Sequence, residues 1–315
     1  MSPILDVDLV SFERGDAAAR RAVVAGVMRS LATGFVYLEH DLAPGLIDGA
    51  YEMLASFFHL DRAQKERYSV PASKGQSGYT GMLVETAAGA ASADWKEMLN
   101  WGPVVAKDHP LRRRFPHRYL DPVFPEADVP GISRVLTEFH DTITSLQKRF
   151  LRIIAVGLGA HPDYFESMIA LGPTLTRAIR YPPMDDAPAD DHVWAGAHGD
   201  INLITALPRA TARGLQVEVD DEWVDAVPPA GCAIINTGLM LEHVTNGVIP
   251  AGIHRVVADP NQRGERLSVV QFCHPTPWTI LSPLPTCIDD AHPPRYPAVT
   301  AGDWLDSVLH DINLG

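Results

Sequence analysis

The sequence predicts one α+β domain in which helices come first and a β-rich core follows. Three observations carry this. Several stretches before residue 160 place apolar side chains at helical spacing. From Thr174 the texture changes to short β-prone runs separated by turn residues, the pattern of a sandwich or barrel. No repeat, low-complexity block or linker divides the 315 residues, and 46% hydrophobic with 21% charged residues suits a chain with a sizeable core.

The elements follow in order. Ile4 to Leu9 alternates weakly and reads as an edge strand. Asp16 is placed to cap a helix in which Val23, Val24, Val27, Met28 and Leu31 share a face, and Gly34 ends it. FVYLE, residues 35–39, reads as a strand. Pro44 opens a helix carrying Leu46, Ile47, Ala50, Tyr51, Leu54, Phe57 and Phe58, and residues 61–68 form a short polar helix. Residues 71–103 have no clean period, which in a compact domain marks a functional segment; we read it as a lid. A long helix spans about residues 131–157 and a shorter one about 163–171, stopped by Gly172-Pro173. The strand-like runs are TLTRAIRY, INLITAL, GLQVEV, EWVDAV, CAIINT, HRVVA and RLSVVQFCH. A proline-rich segment, residues 275–297, reads as an extended cover, and a last helix spans about 302–312. The organisation is thus a mainly helical region over 1–173, a β core over 174–280 and a C-terminal covering segment with a helix over 281–315.

Composition narrows the function. A net charge of -13 argues against a nucleic-acid partner, which usually needs a basic face. No apolar run is long enough to cross a bilayer, and the acidic start MSPILDVDLV lacks the basic n-region of a secretory signal. The expectation is a soluble cytoplasmic protein with a small-molecule substrate and no membrane partner; oligomeric state is left open. Three cysteines, none in a CxxC pair, make neither a disulfide framework nor a thiolate zinc site.

The chemistry concentrates in two segments. In AGAHGDINLITAL, His198 and Asp200 are two residues apart, so on a strand both side chains point to one face, and Gly196, Ala197 and Gly199 leave room for an ion. In the second segment His254 opens a strand-like run, and Arg266 and Ser268 follow on another beyond the turn DPNQRG. The two runs read as a hairpin bringing an imidazole and a guanidinium into one cavity. Two imidazoles and one carboxylate leave coordination positions open, as a non-haem Fe(II) oxygenase requires. A guanidinium fork with an adjacent hydroxyl suits a carboxylate. Zinc also tolerates two histidines and a carboxylate, but no HExxH-type general base accompanies them.

These residues, His198-Gly-Asp200, His254 and Arg266-Leu-Ser268, resemble the HxD, distal His and RxS pattern of the isopenicillin N synthase-like superfamily of Fe(II)/2-oxoglutarate-dependent oxygenases. Further likenesses are the strand from Gly34 to Tyr37, Phe57-Phe58, the run Lys65 to Tyr68, Gly78-Tyr79, Tyr181-Pro182-Pro183 and Asn246-Gly247, so the resemblance covers the chain to about residue 280. It departs at Glu39-His40-Asp41 and at Gly238-Leu239, both outside the metal set. The resemblance implies a double-stranded β-helix (jelly-roll) core flanked by N-terminal and interstitial helices. It implies Fe(II) held by His198, Asp200 and His254, with 2-oxoglutarate and O2 as co-substrates. Arg266 and Ser268 would hold the distal carboxylate of 2-oxoglutarate, with Tyr181 nearby. Oxidative decarboxylation to succinate and CO2 would drive hydroxylation, desaturation or cyclisation of a small molecule, by analogy a specialised metabolite. Two alternatives stay open: an Fe(II) oxidase of the same fold that uses no 2-oxoglutarate, and a jelly-roll protein that binds a metal or ligand without catalysis.

For substrate contacts the candidates are Tyr79, Met82, Glu85, Trp95 and Trp101 in the irregular segment, and Asn202 on the ligand face. His243 precedes a turn and reads as a surface histidine, and Arg180 as exposed or on an edge because it alternates with Tyr181.

Overall fold

The computed structural model describes residues 3–85, 93–188, 193–259 and 262–311. A short strand, β1 (Asp6–Asp8), leads into α1 (Leu9–Arg14), a helix the periodicity did not reveal because it is under two turns long. In α2 (Ala17–Ser30) the Asp16 carboxylate accepts from the backbone N–H of Ala18 and Ala19, as expected of an N-cap. Gly34, at φ 77°, turns the chain sharply into β2 (Phe35–Glu39). Pro44 opens α3 (Pro44–Phe58), and Asp61 with Gln64 forms a capping box on α4 (Arg62–Glu66). The segment read as an irregular lid contains β3 (Gly78–Thr80) and β4 (Glu97–Trp101), both hydrogen-bonded into the large sheet; residues 86–92 lie outside the described residues. After α5 (Pro110–Arg114) comes the long helix α6 (Ile132–Gly157), which packs against α2 and α3. The helix expected over 163–171 shrinks to α7 (Glu166–Ile169), flanked by turns.

The strands of the β core are β5 (Leu175–Tyr181), β6 (Ala195–His198), β7 (Ile204–Leu207), β8 (Leu215–Val219), β9 (Glu222–Asp225) and β10 (Cys232–Thr237). Then follow α8 (Leu239–Val244), β11 (His254–Val256) and β12 (Arg266–Cys273). They form two sheets, one ordered β1-β2-β10-β7-β12-β5-β4-β3 and the other β6-β11-β8-β9. The N-terminal region is therefore not only helical: it supplies four strands to the larger sheet. Beyond the core, β13 (Ile280–Leu281) pairs with β14 (Val299–Thr300), and α9 (Ala301–Asp311) ends the described chain.

Strand alternation sorts side chains into two cores. On the outer face of the large sheet Val36, Leu38, Ala178, Ala206, Ile235 and Val269 meet the apolar sides of α3 and α6. On the inner face Phe35, Tyr37, Ile179, Tyr181, Leu207 and Ile234 meet Ala195, Leu215, Val217 and Val256 of the smaller sheet. This parity puts Arg266, Ser268, Val270 and Phe272 of β12 between the sheets and directs Leu267 and Val269 to the helices. The hairpin expected of residues 254–268 is not formed. β11 pairs with β6 and β8 in the smaller sheet, whereas β12 pairs with β5 and β7 in the larger one. The two runs thus face each other across the sandwich.

A buried ionic cluster fastens β3, β4 and β5 to α4. Lys65 Nζ lies 2.7 Å from Glu97 Oε2 and donates to Phe58 O at 3.0 Å, while Glu97 also accepts from Arg180 Nη1 at 2.7 Å and Tyr79 Oη at 2.6 Å. Arg180, expected to be exposed or on an edge, is thus half-buried on an inner strand and paired to Glu97 and Glu265. Removing one member of such a cluster strands buried charge. Lys65→Met is expected to lower unfolding free energy by about 3 kcal/mol in urea denaturation; a loss under about 1 kcal/mol would show that Arg180 and Tyr79 suffice to hold Glu97.

Candidate active site

His198 ends β6 and His254 begins β11, and the two are direct cross-strand neighbours. Their rings lie 4.4 Å apart between centroids. Asp200 is not on a strand, as the sequence reading assumed, but two residues past the end of β6, in a buried loop. Its carboxylate nevertheless meets the imidazoles: His198 Nε2 is 3.9 Å from Asp200 Oδ1, and one ligand atom from each of the three residues lies within 4.8 Å of the others.

Each ligand is oriented by a second partner. His198 Nδ1 is 2.8 Å from Gly196 O and His254 Nδ1 is 3.1 Å from Gly252 O, contacts that place the ring proton on Nδ1 and leave Nε2 free. Burial, with His254 nearby, pushes the His198 imidazole down to about 4, so it is neutral and able to ligate at neutral pH. Asp200 Oδ2 accepts from Thr205 Oγ1 at 2.6 Å and from Asn236 Nδ2 at 2.8 Å, which leaves Oδ1 toward the histidines. Burial tends to raise the Asp200 carboxyl, but the two imidazoles and these hydrogen bonds outweigh it and hold it below its ordinary value. The Asp200 loop is held against the start of α8: Leu239 N donates to Asp200 O at 2.7 Å. Any Cβ at Gly238 would sit 2.0 Å from Asn202 O, so the close approach requires glycine there.

Thr205→Val and Asn236→Ala each remove one donor to Asp200, so each is expected to weaken iron affinity by roughly 10–100-fold in a chelator competition. Unchanged affinity in both variants would mean that Asp200 is oriented by its backbone alone.

A cavity runs from these three side chains between the sheets to Arg266, past Tyr181, Ser268 and Phe272. Arg266 is 1% exposed. Its Nη1 donates to Ser268 Oγ at 2.9 Å, its Nε to Ala212 O at 3.2 Å, and its guanidinium lies 5.1 Å from the centre of the Tyr181 ring. Burial lowers its pKa. Among the described residues no carboxylate pairs with it, although a buried cation is costly without an anion. The donor set therefore fits an open-sided divalent iron, and the buried guanidinium, its charge unpaired among the described residues, fits the far carboxylate of a metal-chelating dicarboxylate.

The remaining wall holds residues that sequence reasoning passed over. Arg177 and Lys96 line the cavity. Arg177 donates from Nε to Asn100 Oδ1 at 2.7 Å, pairs with Glu85 at 3.1 Å and lies 5.6 Å from the centre of the Phe272 ring. Lys96 lies 3.0 Å from Glu85 and 2.8 Å from Asp94. Arg177 was findable, because it has the same strand parity as Tyr181. Asn236 and Thr205 carried no such signal.

The substrate candidates fare differently. Glu85 is buried against Arg177 and Lys96; burial raises its carboxyl, but the two cations prevail and hold it at about 2. Tyr79 is buried beside Phe57, away from the cavity lining, and Trp101 lies in the helical core with Nε1 donating to Leu136 O. Trp95 donates from Nε1 to Pro183 O, and Met82 is half-buried outside the lining. Asn202 is not on a ligand-bearing strand; it is fully buried and its amide donates to Ile204 O and Thr205 Oγ1, bracing the Asp200 loop. His243, expected on the surface, is buried between Tyr296 and Trp304.

Comparison with known proteins agrees with this geometry. Residues 3–122 match the N-terminal family described as non-haem dioxygenase in morphine synthesis, and residues 173–275 match the 2OG-Fe(II) oxygenase superfamily. A solved 2OG-Fe(II) oxygenase family protein from Caulobacter crescentus is 32% identical, with a TM-score of 0.86 over 99% of this chain and 100% of that one. Azadirone synthase LFS from Melia azedarach is 29% identical over 89% of this chain and 85% of its own. The fold is shared with a full-length Neurospora crassa protein solved in complex with α-ketoglutarate and thymine, at 24% identity and a TM-score of 0.85 over 98% of this chain and 96% of that one. The chain belongs to the 2OG-Fe(II) oxygenase superfamily.

Proposed function

We propose that His198, Asp200 and His254 hold the iron of this Fe(II)/2-oxoglutarate-dependent dioxygenase and that Arg266 with Ser268 holds the distal carboxylate of 2-oxoglutarate. The observation that carries this reading is the shared cavity: three convergent side-chain donor atoms at one end and, at the other, a buried guanidinium with no carboxylate partner among the described residues. Bound together with 2-oxoglutarate and O2, the iron supplies an oxidation coupled to decarboxylation of the co-substrate to succinate and CO2. The chain's own contribution is placement and exclusion of water. Gly196 O and Gly252 O hold the two imidazoles in the ligating tautomer. Thr205 and Asn236 aim the carboxylate, and Tyr181 packs under the Arg266 guanidinium. Residues 1–315 act as one catalytic domain in this reading, since both sheets and the N-terminal strands contribute to the site's surroundings.

The substrate is a small molecule, and the likeness to azadirone synthase LFS favours a specialised metabolite. It meets the wall formed by Arg177, Lys96 and Phe272. Glu85 and Asp94 already balance the two cations there, so the wall favours a neutral, hydrogen-bonding substrate over an ionised one. A substrate panel in which carboxylates turn over faster than their amides would overturn that preference.

The central reading is tested by anaerobic titration of iron-free protein with Fe(II) and 2-oxoglutarate, followed by visible absorption. A weak charge-transfer band that needs both additions is the expected result. Its absence with iron demonstrably bound would remove 2-oxoglutarate from the site and favour an oxidase that draws all its electrons from the substrate.

A further inference from the structure

A second cleft, of about 680 Å³, lies on the other side of the co-substrate anchor. Leu207, Leu215, Ile234 and Arg266 line both it and the metal cavity, so these four side chains form the partition between the two. The volume falls in the range of small-molecule sites, about 300–1,000 Å³. Its body is apolar, with Ile47, Leu42 and Val227 among its walls, and its charges are lopsided. Arg209, Arg213 and Arg266 face a single carboxylate among the described lining residues, Asp48, and that one is taken by Arg209. Arg213 is exposed at the cleft and no carboxylate pairs with it among the described residues. With Arg209 paired to Asp48 and Arg266 assigned to 2-oxoglutarate, Arg213 is the cation left to a ligand in this cleft.

The wall of this cleft is also the frame of the anchor. Ala212, a lining residue, accepts the Nε hydrogen of Arg266 at 3.2 Å. Thr211 and Leu267 exchange hydrogen bonds at 2.9 and 2.8 Å, and Ala210 forms a bridge with Ser268. A molecule seated against Ala210, Ala212 and Arg213 therefore presses on the backbone that positions both Arg266 and Ser268.

We propose that this cleft is a second small-molecule site, taking an amphipathic carboxylate with its head at Arg213 and its apolar body inside, and that occupancy changes the affinity for 2-oxoglutarate. The coupling runs through a shared wall and not through competition for one space. By linkage it is reciprocal: the factor by which the ligand changes 2-oxoglutarate affinity equals the factor by which 2-oxoglutarate changes the ligand's.

The test uses decanoate as probe, with acetate and decanol as controls for head and tail alone, on iron-loaded protein kept anaerobic, by calorimetry with and without 2-oxoglutarate. We expect one saturable decanoate site, about tenfold weaker in Arg213→Ala. Ala230→Trp should weaken it, because that exposed residue lines the cleft and a large ring there takes up part of its volume. The dissociation constant of 2-oxoglutarate should shift at least about fivefold with decanoate in the wild type, the lower end of the usual range of coupling between sites, and by less in Ala230→Trp. Three results would each overturn the proposal: no saturable binding; binding indifferent to both substitutions; or strict mutual exclusion with 2-oxoglutarate, which would put decanoate in the metal cavity. Decanoate binding is read directly, so its failure is separable from any failure of the assigned co-substrate site.

Discussion

Asp200→Ala is expected to abolish iron retention and to lower oxidation rates on the order of 1,000-fold or more, since losing a direct ligand must exceed the roughly 10–100-fold cost of disturbing its outer partners. The reason lies in how the carboxylate is built in. One oxygen is used by Thr205 and Asn236, and the other is the only anionic donor among the three convergent groups. Without it, two imidazoles face a divalent cation with no anionic group to offset its charge. The substitution also leaves the Asn236 amide donor buried without its carboxylate, for about 1–3 kcal/mol of stability, whereas the Thr205 hydroxyl still has Asn202 Oδ1 within reach. Chelator competition reads the iron, and thermal unfolding of the iron-free protein reads the fold. Full iron affinity in a folded Asp200→Ala protein would show that the ion is held elsewhere.

Arg266→Met is expected to move two quantities in opposite directions. The affinity for 2-oxoglutarate should fall by about 100-fold, because a desolvated, charge-assisted pair is worth roughly 3 kcal/mol and each 1.4 kcal/mol is tenfold. The protein without co-substrate should become more stable, by roughly 1–3 kcal/mol, because a buried cation with no carboxylate partner is replaced by an apolar chain of similar length. Arg266→Lys should recover little of the affinity, since an ammonium cannot reproduce the planar fork that Ser268 and Ala212 O hold in place. Equilibrium binding of 2-oxoglutarate and urea denaturation on the same samples settle both signs. A stability loss with unchanged 2-oxoglutarate affinity would recast Arg266 as a structural residue.

These two residues also show how differently parts of the site can be read from sequence. Arg266 and Ser268 are two apart on a strand, so period-two alternation puts them on one face whatever the fold. The same rule, applied to Tyr181, also reaches Arg177. Asp200 meets the two histidines, but not by strand alternation: β6 stops at His198, and the carboxylate arrives from a loop braced by Asn202 and α8. The pairing of His254 with Arg266 as a hairpin failed for a different reason. Both runs are β-prone and a turn separates them, but nothing local says which sheet each joins.

The residue types of the candidate metal set, the cap at Asp16, the helix end at Gly34 and the apolar face of the long helix follow from the sequence alone, because each is decided by side-chain chemistry or periodicity within a few positions. Strand partners, the second layer around Asp200, the charge-balanced cluster of Glu85, Asp94, Lys96 and Arg177, and the cleft behind Arg266 were decided by tertiary structure. Each brings together residues far apart in sequence, and only closure of the two sheets determines which of the many buried polar side chains meet.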